Sequence, residues 1–305
     1  MSHPEPSFTV TVDIRNPGQL FACCGLLELA HRLWSTAEGW FDTANSTFAI
    51  SAEGVQVDAE RVLRELRGCD ISGLREEELQ ERDQLEKECR NLKKQSETLP
   101  PDKEERRKEL GEQARGGVIR VGKPFALVLD WWQTSDDEAT PKTWAGRQEL
   151  HKVARAAQDA LSGVSDPTRL LDYGCVLRMP QEYCKGKFDR KKAVEPFYFD
   201  ARRFAHSLDA GFSLDAQDAE TVAHPAVELL CLIGLQRFRP RVGPSNRSFE
   251  YWTWQRPLRA PVAAAVLSGA VPIDAGQGHR FRLRFRDDQK RYKAFGFATP
   301  TGDHA

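Results

Sequence analysis

The sequence predicts an α+β fold with two mixed α/β halves, each around a buried helix, and an inserted charged helical hairpin. Two long apolar helical patterns, runs with the two-residue period of strands, and one almost wholly charged block lead to this prediction. At 305 residues the chain is long enough for one large domain or two modest ones. The predicted divisions are 1–69 with 118–166 (first half), 70–117 (the charged hairpin) and 167–305 (second half).

The opening helix is predicted over Asn16–Trp34. Asn16 is a good N-cap, because its side-chain oxygen can accept a free amide of the first turn. Pro17 falls at the first helical position, where its missing N–H costs nothing. Beyond Leu20, the strongly polar residues are confined to one narrow stripe of the helix surface. We therefore expect neighbouring elements to enclose this helix on most sides.

Short strands and a second helix are predicted beside the opening helix. Phe8–Ile14 alternates apolar and polar residues, and Trp40–Phe41 and Ser46–Ser51 have the character of two strands joined by a turn. Asp58 is expected to cap a short amphipathic helix that ends at Gly68. This order of strand, helix, two strands and helix is typical of an α+β layer.

The charged hairpin interrupts this pattern. Pro100–Pro101 divides residues 70–117, which predicts two solvent-exposed helices. Two interpretations stay open: a solvated excursion with no binding role, or an arm that docks a partner protein. The second is considered because two helices with so little apolar surface gain little by packing only on each other.

Further elements are predicted along the rest of the chain. Pro124–Trp132 has the apolar character of a central strand, and a helix is expected to open at Lys142–Gln148 and to run to about residue 161. The pattern at His224–Phe238 echoes the opening helix, which suggests two halves with equivalent central helices. The remaining predicted elements are possible strands at Leu170–Leu177 and Phe197–Asp200, a helix at Val262–Leu267 and a strand at His279–Arg286.

Composition and motifs argue against several classes of protein. No apolar run approaches the ~20 residues that span a bilayer, and the first residues lack a secretory pattern, so we expect a cytoplasmic protein with no membrane contact. Phosphate-binding glycine loops, zinc-protease and serine-hydrolase motifs and C-x-x-C pairs do not occur. We therefore predict that the protein is not an enzyme and has no catalytic residue, metal site or cofactor.

Charge divides the chain and points to a nucleic-acid-binding second half. Residues 1–166 hold 22 basic and 30 acidic residues, whereas residues 167–305 hold 22 and 15. Arginines on one strand face would contact successive phosphates, and nearby aromatic residues would stack on unpaired bases. A solvated strand face with ordinary core tryptophans would give the same pattern. The candidate nucleic-acid-binding residues are Arg280, Arg282, Arg284 and Arg286 of the strand, Lys185, Lys187, Arg190, Lys191 and Lys192 of a basic loop, Arg239, Arg241 and Arg247, and the aromatic Tyr251, Trp252 and Trp254.

Four motifs together resemble a known family. They are NPGQLFACCGLLELA (Asn16–Ala30), LDWW (Leu129–Trp132), KTWAGRQ (Lys142–Gln148) and YWTWQRPL (Tyr251–Leu258). In this order and spacing the chain resembles the accessory effector subunits of type I-G (formerly I-U, or Dpsyc) CRISPR-Cas systems, the small Csb and Csx proteins. The motifs span most of the chain, and the charged hairpin falls outside them.

The resemblance implies a non-catalytic subunit of an RNA-guided antiviral complex that binds crRNA or target DNA beside other effector subunits. In such complexes guide–target pairing reads the sequence, while protein subunits grip the backbone and recruit a separate nuclease-helicase. The family supplies no catalytic residues to this chain. Two alternatives stay open: a protein–protein adaptor that touches no nucleic acid, and a metal-dependent nuclease with scattered carboxylates.

Overall fold

A computed structural model describes residues 5–114, 117–134, 139–144, 149–183, 192–203, 220–274, 276–286 and 292–301. It shows an α+β fold, as the sequence predicts. The helices are α1 (Pro17–Leu33), α2 (Ala59–Gly68), α3 (Glu76–Lys94), α4 (Pro101–Ala114), α5 (Leu150–Ala160), α6 (Pro225–Arg237) and α7 (Ala260–Leu267). The strands are β1 (Phe8–Thr11), β2 (Ala37–Asp42), β3 (Thr47–Ala52), β4 (Ile71–Ser72), β5 (Ile119–Val121), β6 (Leu127–Leu129), β7 (Arg241–Val242), β8 (Ser248–Trp252), β9 (Leu258–Arg259), β10 (Gly278–Phe285), β11 (Lys293–Phe295) and β12 (Thr299–Pro300).

The strands form small antiparallel sheets. One has the order β1-β3-β2-β9, a second β4-β5-β6, and a third β11-β10-β8-β7, in which β12 also pairs with β10. Strand β9 comes from the predicted second half, yet Leu258 pairs with Gly39 in the first sheet. A single hydrophobic core also includes residues from both sides of residue 166. The two predicted halves therefore share their core.

Helices α1 and α6 pack directly against each other at the centre of the molecule. Their closest approach uses a glycine from each helix: a Cβ on Gly25 would overlap the carbonyl oxygen of Leu230, and one on Gly234 would overlap that of Phe21. The two predicted central helices are confirmed. The Gly-Leu pair that they share in sequence contains the glycines at which their backbones meet.

Asn16 occupies the N-cap position of α1, as predicted, but its side chain does not accept a hydrogen bond from the first turn. The Asn16 side chain donates from Nδ2 to Oδ1 of Asp200 at 2.7 Å and accepts from the backbone N–H of Ala201 at 3.1 Å. Asn16 thus ties the start of α1 to a segment that is distant in sequence. The cap of α2 is confirmed, because Asp58 accepts from the backbone N–H of Glu60 at 2.9 Å.

The charged hairpin is confirmed as two helices, and it connects two paired strands. Ser72 of β4 is the register partner of Arg120 of β5, so the hairpin leaves and re-enters the sheet at neighbouring positions. Helices α3 and α4 pack on each other. Ion pairs between the helices join Lys103 to Glu88 at 2.7 Å and Arg106 to Glu81 at 2.8 Å. Buried apolar residues of the hairpin include Leu85, Cys89, Leu99, Leu110 and Ala114.

Aromatic packing replaces two elements that the sequence predicts. The run Pro124–Trp132 contains only the short edge strand β6, because Trp131 leaves the sheet and donates from Nε1 to the carbonyl oxygen of Leu232 at 3.1 Å. The helix expected from Lys142 begins later, at Leu150. Trp144 instead lies in an aromatic cluster, with its ring centroid 5.7 Å from that of Trp131.

Two predicted strands are also absent from the described residues 167–183 and 192–203. The first residues of the predicted strand Leu170–Leu177 belong instead to a 3-10 helical segment, Pro167–Asp172. Phe197–Asp200 forms no strand, because Tyr198 has a φ of 62°, a left-handed conformation that interrupts an extended backbone. Among the described residues, no helix has both the length and the apolar character needed to cross a membrane.

Candidate nucleic-acid interface

Strand β10 has the two-sided character that the sequence predicts. Phe281 and Leu283 are buried, and the Phe281 ring lies 6.2 Å from Phe21 of α1. The arginines alternate with these residues and therefore point away from the core. With neighbours on β7 and β8 they form an outer surface, here called the arginine face. Its residues are Arg241, Glu250, Trp252, Arg280, Arg282 and Arg284.

A buried glutamate orients two residues of the arginine face. Glu250 is the register partner of both Arg241 and Arg280. Arg280 donates to Glu250 Oε1 at 2.6 and 2.9 Å, and Arg241 donates to Oε2 at 2.5 and 3.2 Å. Burial of Glu250 raises its pKa, but the two guanidinium groups outweigh burial and lower it below the ordinary value. The carboxylate is therefore charged and holds both arginines in place.

Trp252 lies on the same outer surface as these arginines. The guanidinium carbon of Arg241 is 4.5 Å from the centroid of the Trp252 ring, within the range of a cation–π interaction. Trp252 is half-buried, so part of its side chain stays open to solvent. A cation and an aromatic ring in contact are the pair that stacks on nucleobases in single-strand-binding proteins.

The expectation that Tyr251 and Trp254 offer stacking surfaces is wrong, because both are fully buried. Tyr251 donates its hydroxyl to the carbonyl oxygen of Ile14 at 2.6 Å, and Trp254 donates Nε1 to that of Gly39 at 2.7 Å. Neighbouring residues of a strand point to opposite sides of the sheet. Tyr251 therefore enters the core where the next residue, Trp252, leaves it.

Arg286 does not extend the row of arginines, contrary to the prediction. Strand β10 ends at Phe285, and the Arg286 side chain is only 10% exposed. Its guanidinium carbon lies 3.3 Å from the centroid of the Tyr198 ring, and Nη1 is 3.9 Å from Glu195. Arg286 thus fastens the end of the strand to the segment that contains Tyr198.

The other predicted basic residues have separate surroundings. Arg247 lies in the connection between β7 and β8, with its guanidinium 4.6 Å from the Phe285 ring. Arg239 follows α6 and is exposed, as is Lys192 at the start of the segment 192–203. The predicted residues Lys185, Lys187, Arg190 and Lys191 lie outside the described residues.

Sequence reasoning missed Glu250, although a signal for it exists. Glu250 and Trp252 are two residues apart, so a strand over residues 248–252 places both on one face. The single acidic residue on that face would then meet the arginines of an adjacent strand. The pairing of β8 with β10 brings Glu250 next to Arg280.

A second cluster of titratable residues is buried where α1 and α6 begin. Asp200 Oδ2 lies 2.8 Å from His224 Nδ1 and 2.7 Å from Arg202 Nη2. Glu228 accepts two backbone N–H bonds of 3.3 Å, from Phe199 and Asp200. Within the described ranges, no group of three or more histidine, cysteine, aspartate or glutamate side chains could hold a metal ion.

Compared with known proteins, the chain matches no family model, no curated protein and no solved structure. The described residues of the motifs behind the CRISPR resemblance are mostly buried: Trp131, Trp132, Trp144 and Trp254 all belong to the core. The resemblance therefore mainly concerns residues that build the fold, and it shares Trp252 with the arginine face.

Proposed function

We propose that this protein is a non-catalytic subunit of a type I-G (I-U) CRISPR effector complex. In this proposal it is cytoplasmic, assembles with other effector subunits and binds crRNA or target DNA. The four sequence motifs support the type of complex. The observation that supports nucleic-acid binding is the arginine face, on which Arg280, Arg282 and Arg284 follow one another along a single strand.

The arginine face has the properties of a phosphate-binding surface. Its defining residues include four arginines and one glutamate, so cationic side chains predominate on it. Side chains on one face of a strand repeat every ~6.5–7 Å, so the three strand arginines form a row along an extended backbone. Such contacts bind by displacing counterions and carry little sequence information. Sequence would then be read by the guide RNA.

The test is the double variant Arg282→Glu/Arg284→Glu, with binding of labelled single-stranded RNA and DNA followed by fluorescence anisotropy over a salt series. Because each phosphate contact adds ~0.7 to the slope of log affinity against log salt for single strands, loss of two contacts should lower the slope by about 1.4. Circular dichroism should show an unchanged fold.

The matched control is Arg64→Glu/Lys87→Glu, which makes the same charge change at exposed residues of α2 and α3. The control should bind like the wild type. Equal binding by both double variants would contradict a role of the arginine face. Co-purification with the products of neighbouring genes tests the complex itself, and a discrete small RNA should accompany it.

The structure also offers an observation that favours the adaptor alternative. Helices α3 and α4 of the charged hairpin pack on each other and connect the adjacent strands β4 and β5, so these helices extend from the sheet without forming part of it. Replacing residues 75–117 by a short Asn-Gly turn would keep these strands paired. Loss of complex assembly with retained nucleic-acid binding would assign the hairpin to a protein partner.

A further inference from the structure

A groove of about 660 Å³ lies beside the arginine face, between the sheet and the connection from α7 to β10. Its two sides differ in chemistry. Arg241 and Arg280 form a cationic side with Trp252, and Val271, Pro272 and Ile273 form an apolar side. Val271 is 43% exposed, so this apolar wall is open to solvent. The groove thus has an apolar side and a cationic side that line the same cavity.

The cationic side is fixed in position. Glu250 is almost fully buried and receives hydrogen bonds from both arginines, each of which keeps further N–H donors. The side chains of Arg241 and Arg280 are 55% and 39% exposed. An anion in the groove would therefore meet two guanidinium groups that need little ordering when it binds.

The Trp252 ring is also held in place. A Cβ added to Gly269 would lie 2.9 Å from the ring, and one added to Gly278 would lie 2.9 Å from Nε1. The backbone therefore approaches the ring at two points where no side chain would fit. Gly269 has a φ of +73°, which favours glycine on conformational grounds as well.

We infer that this groove binds one unpaired nucleotide of a single-stranded nucleic acid. The base would lie against the Trp252–Arg241 pair and the apolar wall, and its phosphate would contact Arg241 and Arg280. Asp274 lies at the groove and within 3.7 Å of Arg256, where its charge disfavours a second phosphate. The inference rests on the proposed function and narrows its ligand to single strands, because a paired base cannot enter the groove.

The test compares two probes on the full chain: a fluorescein-labelled twelve-residue oligouridylate and a twelve-base-pair RNA duplex. Trp252→Ala removes the ring, and Val271→Trp fills the groove while retaining the arginines. Both variants should lose at least about fivefold in affinity for the oligouridylate, as expected for one stacked base, and keep their affinity for the duplex. Val262→Trp is the control, because Val262 is exposed on α7 and does not line the groove.

Photocrosslinking locates the base directly. Oligouridylate with 5-iodouridine should give an adduct on the peptide that contains Trp252, and Val271→Trp should reduce the yield of that adduct. Adducts confined to other peptides would overturn the inference. So would Trp252→Ala and Val271→Trp variants that bind the oligouridylate like the wild type.

The experiment separates this inference from the proposed function. If the wild type binds and only Arg282→Glu/Arg284→Glu weakens binding, Arg282 and Arg284 bind the nucleic acid without the groove, and the groove inference fails. If the wild type binds neither probe, both proposals fail. Loss of oligouridylate binding in the groove variants, with duplex binding retained, supports the inference.

Discussion

The two central helices each bury one glutamate, and the two glutamates have opposite surroundings. Glu28 of α1 is 1% exposed and forms ion pairs with Arg32, at 2.9 Å, and with Arg237 of α6. Glu228 of α6 is 0% exposed and accepts only backbone N–H bonds among its described contacts, while Asp200 lies beside it. Both glutamates are thus buried, but arginines neutralise the charge of Glu28, whereas Glu228 has a carboxylate as its neighbour.

The pKa values of the two carboxyls diverge for this reason. Burial raises the pKa of Glu28, but hydrogen bonds from Arg237 and Arg32 outweigh burial and lower it below its usual value. Burial and the nearby charge of Asp200 raise the pKa of Glu228 to about 7. The counter-charge, rather than burial, decides whether a core glutamate stays ionised.

The two ends of the α1–α6 helix pair therefore have different roles. At the Glu28 end, an ionised carboxylate joins α1 to α6 through Arg237. At the Glu228 end, the charge of the carboxyl depends on pH near neutrality. We therefore expect stability to depend on pH through one end of the helix pair and on the intact ion cluster at the other.

The largest effect is expected from Arg237→Met, which removes one partner of Glu28. The variant should lose about 3 kcal/mol of unfolding free energy, at the low end for a broken buried ion pair because Arg32 remains. Urea unfolding at pH 7 measures it. The double variant Glu28→Met/Arg237→Met should recover most of the loss, since it leaves no buried charge unpaired. If Arg237→Met is as stable as the wild type, the ion pair between Glu28 and Arg237 does not stabilise the helix pair.

The next largest effect is the pH dependence that Glu228 causes. Its pKa in the folded protein is about 7, above the value of 4.5 for an unperturbed glutamate, so folding favours the protonated form. The stabilisation is complete below about pH 4.5 and is lost as pH rises through about 7. Between pH 5 and 8 the wild type should lose about 2 kcal/mol from this group.

The variant Glu228→Gln isolates this contribution, because its amide does not titrate. The difference in unfolding free energy between wild type and variant should change by the same amount across pH 5 to 8. Asp200 does not confuse the result: hydrogen bonds from His224 and Arg202 outweigh its burial and lower its pKa, so it titrates at more acidic pH. Parallel pH profiles for wild type and variant would show that Glu228 is ionised throughout.

The contrast between these ends also shows what sequence can predict. The central helices, the charged hairpin and β10 follow from periodicity, prolines at helix starts and charge, which are local properties. The strand predicted over Phe197–Asp200 does not form, because Tyr198 has a left-handed φ and its ring packs against Arg286, a residue distant in sequence. Local pattern carries no information on such contacts.

The candidate site divides in the same way. Alternation along β10 correctly predicts arginines on one face, but the inward orientation of Tyr251 depends on its contact with Phe21 of α1. The proximity of Glu228 to Asp200 is likewise tertiary, since 28 residues separate them. Strand pairing and helix packing decide which predicted residues reach the surface.

A smaller effect is expected from Asn16→Ala, which sharpens the role of the Glu228 end. The variant loses two buried hydrogen bonds, one donated to Asp200 and one accepted from Ala201. Its free energy of unfolding should fall by about 1.5 kcal/mol. Asn45→Ala is a matched control, because its side chain donates to Asp42 at the same 2.7 Å in an exposed position. Equal losses in urea unfolding would indicate that burial adds nothing to the Asn16 contacts.

The smallest effect is expected from Lys103→Gln, which breaks an ion pair of the charged hairpin. Lys103 and Glu88 are 2.7 Å apart, but their side chains are 43% and 35% exposed. Exposed pairs contribute about 0.2–1 kcal/mol and are screened by salt, so the loss should shrink between 0.05 and 0.5 M sodium chloride. The loss from Arg237→Met should change little over the same range. If both variants respond alike to salt, water reaches Glu28, and burial does not distinguish the core ion cluster from the hairpin pair.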